Sequence, residues 1–141
     1  MDDGGRVLGL DLGDVRIGVA ISDERRRLAV PLGTVHTGAP ADLKAIASLV
    51  REHGVTLVVV GHPLLLSGEA GVRARHAEAF AEALRGFLGM DVVLHDERLT
   101  TVEADRALRE AGAGGRRRRR VVDRSAATIL LQAYLDGLSR A

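Results

Sequence analysis

The chain has 141 residues, a length that favours one domain because domains commonly span about 100–200 residues. It contains no cysteine, which excludes a disulfide framework, a thiolate metal site and a cysteine nucleophile. Aromatic residues make up only 2% of the chain, so a base-stacking platform of the single-strand-binding type is not expected. No apolar run approaches the about 20 residues of a membrane span, and no signal-peptide pattern opens the chain. We therefore expect one domain, residues 1–141, in a cytoplasmic protein.

Charge is concentrated in one segment. The net charge is +1, and Lys44 is the only lysine among 20 basic residues. Five consecutive arginines, Arg116–Arg120, are followed by Arg124, with Asp123 as the nearby acid. The rest of the chain is mildly acidic, so this short stretch carries the positive field.

The first third of the sequence predicts three strands. Val7–Asp11 is a short apolar run that ends in an acid, and Arg16–Ser22 alternates apolar with small or polar residues. Leu28–Val35 contains Pro31, which removes a ladder donor and places this strand at a sheet edge. Three such runs with brief turns favour an antiparallel meander.

The remainder alternates helices with strands, which indicates an α/β fold with parallel later strands. The predicted elements are a helix over Asp42–His53, a buried strand over Leu57–Val60, a helix over Val72–Leu88, a strand over Asp91–His95, a helix opened by the capping box Thr100–Glu103 and closed by Gly112, and a last helix over Asp123–Leu138. The third of these is predicted from the helical spacing of Val72, His76, Phe80, Leu84 and Phe87, with the phenylalanines in the core. The last helix is predicted to turn inward Ala126, Ala127, Leu130, Ala133 and Tyr134.

Acidic residues follow the predicted strands at the edge where such sheets build sites. Asp11 ends the first strand, Asp96 and Glu97 end the last, and Asp123 precedes the final helix. Oxygen ligands without cysteine favour Mg²⁺ or Mn²⁺. Each acid also has a simpler interpretation: Asp123 as a helix N-cap, Asp11 as a partner of its own turn, and Glu97 as a surface partner of Arg98 or Arg106.

Two further features lie near that edge. The arginine run is flanked by Gly112, Gly114 and Gly115, and guanidinium groups bind phosphate bidentately. We expect phosphate contact, with a merely solvated loop as the alternative. His62 and His95 also fall near the edge, where a histidine is either a phosphate contact or general acid, or more commonly a satisfied loop or strand residue.

The opening Leu8-Gly9-Leu10-Asp11-Leu12-Gly13, with Arg16-Ile17-Gly18-Val19-Ala20, resembles the YqgF/RuvX family of bacterial RNase H-like proteins. The resemblance continues through Val59-Val60-Gly61 and Pro63-Leu64 to His95-Asp96-Glu97-Arg98-Leu99-Thr100-Thr101. It closes with Val121-Val122-Asp123 and the segment from Ala126 to Leu135. It departs at Asp14-Val15, where the family usually has Thr and Lys. It departs again at residues 65–67, where Leu-Leu-Ser stands in place of Asn-Met-Asp, so that Leu65 and Leu66 are expected to form an apolar protein contact.

The resemblance implies a five-stranded mixed sheet of order 3-2-1-4-5, with the first three strands antiparallel and helices on both faces. It implies metal-dependent phosphodiester cleavage, with Asp11, Glu97 and Asp123 as catalytic residues and ligands of Mg²⁺ or Mn²⁺. Asp96 and Arg98 would hold Glu97 in place without themselves binding the metal. In that order the first and last strands lie about 9–10 Å apart, so metal would have to bridge their side chains. The residues expected to contact nucleic acid are Arg16, His62, Arg116, Arg117, Arg118, Arg119, Arg120 and Arg124.

The family is described as pre-16S rRNA nucleases and as Holliday junction resolvases, so structured RNA is the favoured substrate and a four-way DNA junction the alternative. The chain is expected to be a monomer or weak homodimer, since resolvases need paired sites. A non-catalytic RNA-binding ribosome-assembly factor would use Arg116–Arg120 alone. An ATPase or sugar kinase would use Asp11-Leu12-Gly13 as a phosphate-binding turn, but such enzymes need two subdomains of this size.

Overall fold

A computed structural model describes residues 4–99 and 125–140. Five strands form one mixed sheet of order β3-β2-β1-β4-β5: β1 Arg6–Asp11, β2 Arg16–Ser22, β3 Ala29–His36, β4 Val55–His62 and β5 Val92–Asp96. β1, β2 and β3 are antiparallel neighbours, whereas β1, β4 and β5 run parallel. The strand order and directions expected from the resemblance are confirmed.

The third strand lies at an edge of the sheet, as Pro31 predicts. Pro31 pairs with Ala20, directly after an irregularity in the β2–β3 register between Val19 and Ala20. Proline is tolerated there because an edge strand does not need a backbone donor at every position.

Helices cover both faces of the sheet. Helices α1 (Ala41–His53) and α2 (Val72–Leu88) pack on the face formed by Leu8, Leu10, Ile17, Val58 and Val60. A third helix, α3 (Ala126–Arg140), packs on the opposite face against Val7, Ala20 and Val59. No helix within residues 4–99 and 125–140 combines the length and apolar character needed to cross a bilayer.

The buried face of α2 differs from the prediction. The helix buries Ala74, Ala77, Ala81 and Leu84, while Val72 and Phe87 are exposed. The large side chains do not mark the buried face, because the alanines of α2 are the residues that pack closely against the sheet. Of the five residues at the predicted spacing, only Leu84 is fully buried.

The last helix begins later than predicted. It starts at Ala126, and Ser125 caps it by accepting a hydrogen bond from the Thr128 backbone N–H at 3.0 Å. The cap role that the sequence offered to Asp123 is thus filled by Ser125. Of the residues predicted to face inward, Ala127 and Leu130 are buried, whereas Ala126, Ala133 and Tyr134 are only half-buried; Ile129, Leu131 and Leu135 complete the buried set.

Close backbone approach seats α3 on the sheet. A Cβ at Gly9 would lie 2.9 Å from the Leu131 Cβ, so no other residue fits there without displacing the helix. At Gly18 the Ala127 Cβ is 3.6 Å from the position a Cβ would take. The two glycines of β1 and β2 therefore allow the first two turns of α3 to lie close to the sheet. The helix predicted from the capping box Thr100–Glu103 to Gly112 lies outside the described residues.

Candidate active site

The carboxyl ends of three parallel strands meet at one edge of the sheet. β1 ends at Asp11, β4 at His62 and β5 at Asp96. β2 runs the opposite way, so its first residue, Arg16, starts at this same edge. Asp11, His62 and Asp96, which the sequence places near one rim, lie at it in the structure, and Arg16 joins them there.

Asp11 stands on the face of the sheet that α3 covers. It pairs with Gly18 across β1 and β2, and its Cβ lies 3.9 Å from the position a Gly18 Cβ would take. Ala127, in the first turn of α3, approaches that same point to 3.6 Å. The amino end of α3 is therefore immediately beside Asp11.

Glu97 reaches over the strand that separates β5 from β1. It begins a short 3-10 turn, Glu97–Leu99, directly after β5, and it is only 5% exposed. Its Oε2 lies 2.5 Å from where a Cβ of Gly61 would stand, with the Leu130 Cδ2 3.2 Å from that position. A side chain at residue 61 would occupy the space of the carboxylate, so Glu97 can hold this position only with glycine there.

This position changes the expectation about the gap between the first and last strands. Leu10 pairs with Val60, so Asp11 and Gly61 are the next residues along two adjacent strands, about 4.8 Å apart. The Glu97 carboxylate lies over β4 rather than over β5. The about 9–10 Å between the backbones of β1 and β5 is therefore spanned largely by the glutamate side chain itself.

The turn that carries Glu97 is held by Asp96 and Arg98. Asp96 Oδ1 accepts a hydrogen bond from the Arg98 backbone N–H at 2.9 Å, and Asp96 Oδ2 one from Arg98 Nη2 at 2.7 Å. These hydrogen bonds lower the pKa of the Asp96 carboxyl and raise the pKa of Arg98. Arg98 thus pairs with Asp96, and Glu97 is buried. Arg106, the other partner that the simpler interpretation offers Glu97, lies outside the described residues.

The two rim histidines have different surroundings. His62 Nε2 lies 2.8 Å from Glu78 Oε2 of α2, so this side chain already has a protein partner. His95 stacks edge-on against Tyr134 of α3, with ring centroids 5.7 Å apart. Its Nε2 is buried with no hydrogen-bond partner within residues 4–99 and 125–140. Burial lowers the pKa of His95, which favours the neutral ring.

Two cavities of about 250 Å³ each flank Glu97. The first extends toward the β1–β2 turn and is lined by Gly13, Asp14 and Gly61. The second lies under the loop after β4, between Leu65 and Arg98. Arg73 and Glu97 line both cavities, so the glutamate stands between two openings large enough for parts of a ligand.

The remaining predicted site residues lie outside the described residues: Asp123, Arg116, Arg117, Arg118, Arg119, Arg120 and Arg124. Within residues 4–99 and 125–140 no group of three His, Cys, Asp or Glu side chains could hold a metal ion. Of the three predicted ligands, the described part of the chain supplies Asp11 and Glu97. Which residues act in the reaction stays a prediction.

Sequence reasoning missed the contacts that build this rim. Gly61 as the cradle of Glu97 and the contact of His95 with Tyr134 join segments distant in sequence. A glycine directly after the apolar run Leu57–Val60 was the only available signal, since glycine at a strand end commonly marks a close approach.

A mixed sheet of this order, with a helix laid across the strand that carries the first acid, defines an RNase H-like domain. Solved structures agree: "Thermus thermophilus RuvC structure" is similar with a TM-score of 0.52 over 96% of each chain, at 14% sequence identity. The same protein "in complex with Holliday junction substrate" gives a TM-score of 0.51 over 95% of each chain, also at 14% identity. At that identity the likeness concerns the fold.

The family follows from the sequence. The family model described as "RuvX: Holliday junction resolvase" matches residues 5–137, and the chain belongs to the RuvX family. A relative from Anaeromyxobacter sp. (strain Fw109-5), named "Putative pre-16S rRNA nuclease", is 50% identical over 94% of this chain and 97% of its own. A relative of the same name from Pelotomaculum thermopropionicum is 45% identical over 96% of this chain and 89% of its own.

Proposed function

We propose that this chain is a divalent-metal-dependent nuclease that hydrolyses phosphodiester bonds in structured RNA, with precursor 16S rRNA as its substrate. The observation that carries the proposal is the position of the Glu97 carboxylate over Gly61, one strand from Asp11 and on the same face of the sheet. Curated relatives named for pre-16S rRNA cleavage, which match nearly the whole chain, support the substrate.

The chemistry of the donors fits a hard divalent cation. Asp11 and Glu97 offer only carboxylate oxygens, which suit Mg²⁺ or Mn²⁺. Asp123 is the proposed third ligand. It precedes Ser125 by two residues, so chain connectivity keeps their Cα atoms within about 7 Å, and Ser125 leads into the turn of α3 that lies beside Asp11.

Each residue of the rim has a separate task in the proposed reaction. Bound ions would supply activation of water and charge stabilisation at the leaving oxygen. Asp11 and Glu97 would hold those ions through their carboxylate oxygens, while Gly61 leaves room for the glutamate. Asp96 and Arg98 keep the turn of Glu97 in place through their mutual hydrogen bonds. Leu130 of α3 also approaches the space above Gly61, with its Cδ2 3.2 Å from the position of a Cβ there.

Positive charge provides the proposed contact with the nucleic-acid backbone. Arg16 lies at the rim, and Arg116–Arg120 with Arg124 come shortly before Ser125 in the sequence. Arginine binds phosphate bidentately and keeps its charge at all physiological pH values. We assign His62 a secondary contact, since Glu78 already binds its ring. The proposed assembly is a single domain, residues 1–141, acting in the cytoplasm as a monomer or weak homodimer.

A four-way DNA junction is the second candidate substrate. It is favoured by one observation, the description "Holliday junction resolvase" of the family model that matches residues 5–137. Symmetric cutting of a junction needs two sites in one particle. A strictly monomeric protein would therefore support RNA over the junction.

Cleavage of two labelled substrates tests both the reaction and its target. A 5′ precursor fragment of 16S rRNA and a four-way DNA junction are incubated with wild type, with and without Mn²⁺ or Mg²⁺. We expect cleavage of the RNA that depends on the ion. Asp11→Asn should abolish cutting and retain RNA binding. The control Asp91→Asn should cut normally, because Asp91 lies at the amino end of β5, away from the rim.

A further variant isolates the arginine run. Replacing Arg116–Arg120 with Ser should weaken RNA binding and flatten its dependence on salt, because fewer counterions are released.

Equal cleavage by wild type and Asp11→Asn would refute the nuclease proposal. Binding without any cleavage by wild type would favour a non-catalytic assembly factor.

A further inference from the structure

An apolar tip projects beside the candidate active site. In the loop between β4 and α2, Leu66 is 85% exposed and Leu65 53% exposed, and Val72 at the start of α2 is 87% exposed. Exposed leucines are common singly. Three exposed large apolar side chains in eight residues, next to a carboxylate site, require a specific explanation.

The tip is a tight turn with internal hydrogen bonds. The Gly68 N–H donates to the Leu65 carbonyl at 2.8 Å, and the Leu65 N–H donates to the Glu69 carbonyl at 3.0 Å. Gly68 has φ of +94°, a conformation that favours glycine. Leu66 therefore stands on a locally closed turn rather than on an extended segment.

The turn is also tied to the rim that carries Glu97. Arg98 Nη1 donates to the Leu66 carbonyl at 3.3 Å, and the same guanidinium is held by Asp96 through its Nε and Nη2. One arginine thus links the tip to the turn of Glu97. Displacement of either element would break hydrogen bonds on the other.

The space between the tip and the site is open. The second cavity beside Glu97 is lined by Pro63, Leu65, Val72 and Arg98. A ligand that reaches the Glu97 carboxylate through this opening passes the apolar turn on its way. Leu65 lines this opening and Leu66 is the next residue of the same turn, so Leu66 stands beside the path of a substrate that enters there.

We propose that Leu66 is a wedge that unstacks the bases next to the scissile phosphate of structured RNA. The proposal rests on the proposed nuclease function. Apolar side chains on stiff protrusions insert between base steps in proteins that deform nucleic acids, and leucine is among those used. Unstacking would let the strand that is to be cut leave the duplex and enter the cleft between Leu65 and Glu97.

Paired and unpaired substrates test the wedge. Cleavage rates are measured on an RNA hairpin with the cleavage site in its stem and on a single strand of the same sequence around that site. Leu66→Ser should lower the hairpin rate roughly tenfold or more, as expected for the loss of a buried leucine contact, and leave the single-strand rate unchanged. Leu66→Met should retain the wild-type hairpin rate, because an apolar side chain of similar size remains.

The matched control is Leu28→Ser. Leu28 is also exposed (60%). It directly precedes β3, the strand at the far edge of the sheet from β5, and lies beside the pair Ser22–Ala29. It should leave both rates unchanged. A 2-aminopurine beside the scissile phosphate adds a direct readout: its fluorescence should rise when wild type binds the hairpin and not when Leu66→Ser binds.

The outcomes separate the wedge from the underlying reaction. If wild type cleaves both substrates and Leu66→Ser cleaves the hairpin at the wild-type rate, the wedge is refuted and the tip is left as a surface for a protein partner. If Leu66→Ser slows both substrates equally, Leu66 contributes general binding and the wedge is also wrong. If wild type cleaves neither substrate, the proposed nuclease function itself fails.

Discussion

Replacing Gly61 with alanine should separate the folding of this protein from its chemistry. The new Cβ would stand 2.5 Å from the present position of Glu97 Oε2, whereas a comfortable carbon–oxygen contact is about 3.3 Å or more. The carboxylate must therefore move by roughly 1 Å, since its backbone is fixed by β5 and the following turn. A misplacement of about 1 Å at a reacting centre costs on the order of a hundredfold in rate.

The same geometry predicts a modest effect on stability. The clashing atom is the end of a flexible side chain, and the next neighbour, Leu130 Cδ2 at 3.2 Å, must yield by only a few tenths of an ångström. We expect the free energy of unfolding to fall by less than about 3 kcal/mol, in the usual range for overpacking. The cleavage rate at saturating RNA should fall about a hundredfold, with binding of RNA retained.

The matched control is Gly86→Ala in α2, where a Cβ would meet no atom within 4 Å. Alanine in a helix is favoured over glycine by roughly 0.5–1 kcal/mol, so this variant should unfold at higher urea and cleave normally. The assay pairs urea unfolding with single-turnover cleavage. Full activity in Gly61→Ala would refute the placement of the Glu97 carboxylate at the reacting centre.

Three further predictions concern stability. Ser125→Ala removes the acceptor of the Thr128 N–H and should lower the free energy of unfolding by about 0.5–2 kcal/mol in urea titrations, with Ser125→Asp close to wild type. Ser22→Ala leaves the buried Val7 N–H, now bonded to the Ser22 hydroxyl at 2.8 Å, without its acceptor, and should cost about 1–3 kcal/mol. Burial lowers the folded-state pKa of His95 below 6.5, so the unfolded chain takes up the proton first and stability should be lost as pH falls below about 6.5. Urea titrations of His95→Phe should show a smaller loss over the same range; an equal loss would contradict this assignment.

The sequence predicted elements well where a local signal defined both ends. The bounds of β2 and α2 match the prediction, because strict alternation marks Arg16–Ser22 and Gly89 stops the helix in the left-handed conformation. The prediction for the core-facing residues of α2 was wrong at Phe87, which is exposed, because a search for apolar spacing selects large residues. Packing against the sheet instead selected Ala77 and Ala81, whose small size permits a close approach.

The shared position of Asp11 and Glu97 was predictable from the sequence, but the geometry around them was not. Asp11 ends β1 and Glu97 follows β5, so topology places both at one rim. Glu97 can cross β4 because Gly61 lies beside both Asp11 of β1 and His95 of β5. This alignment depends on the pairing of three segments that are distant in sequence. No local pattern encodes such a contact, and the same holds for Arg98 reaching the Leu66 carbonyl.

The central claim is that Asp11 and Glu97 bind the same divalent ions, and a double-mutant cycle on Mn²⁺ binding tests it most directly. Calorimetric titration compares wild type, Asp11→Asn, Glu97→Gln and the double variant. If the carboxylates share ions, each single change weakens Mn²⁺ binding strongly and the second change adds little, because the site is already lost. Mn²⁺ affinity equal to wild type in either single variant, or losses that simply add, would contradict the shared site.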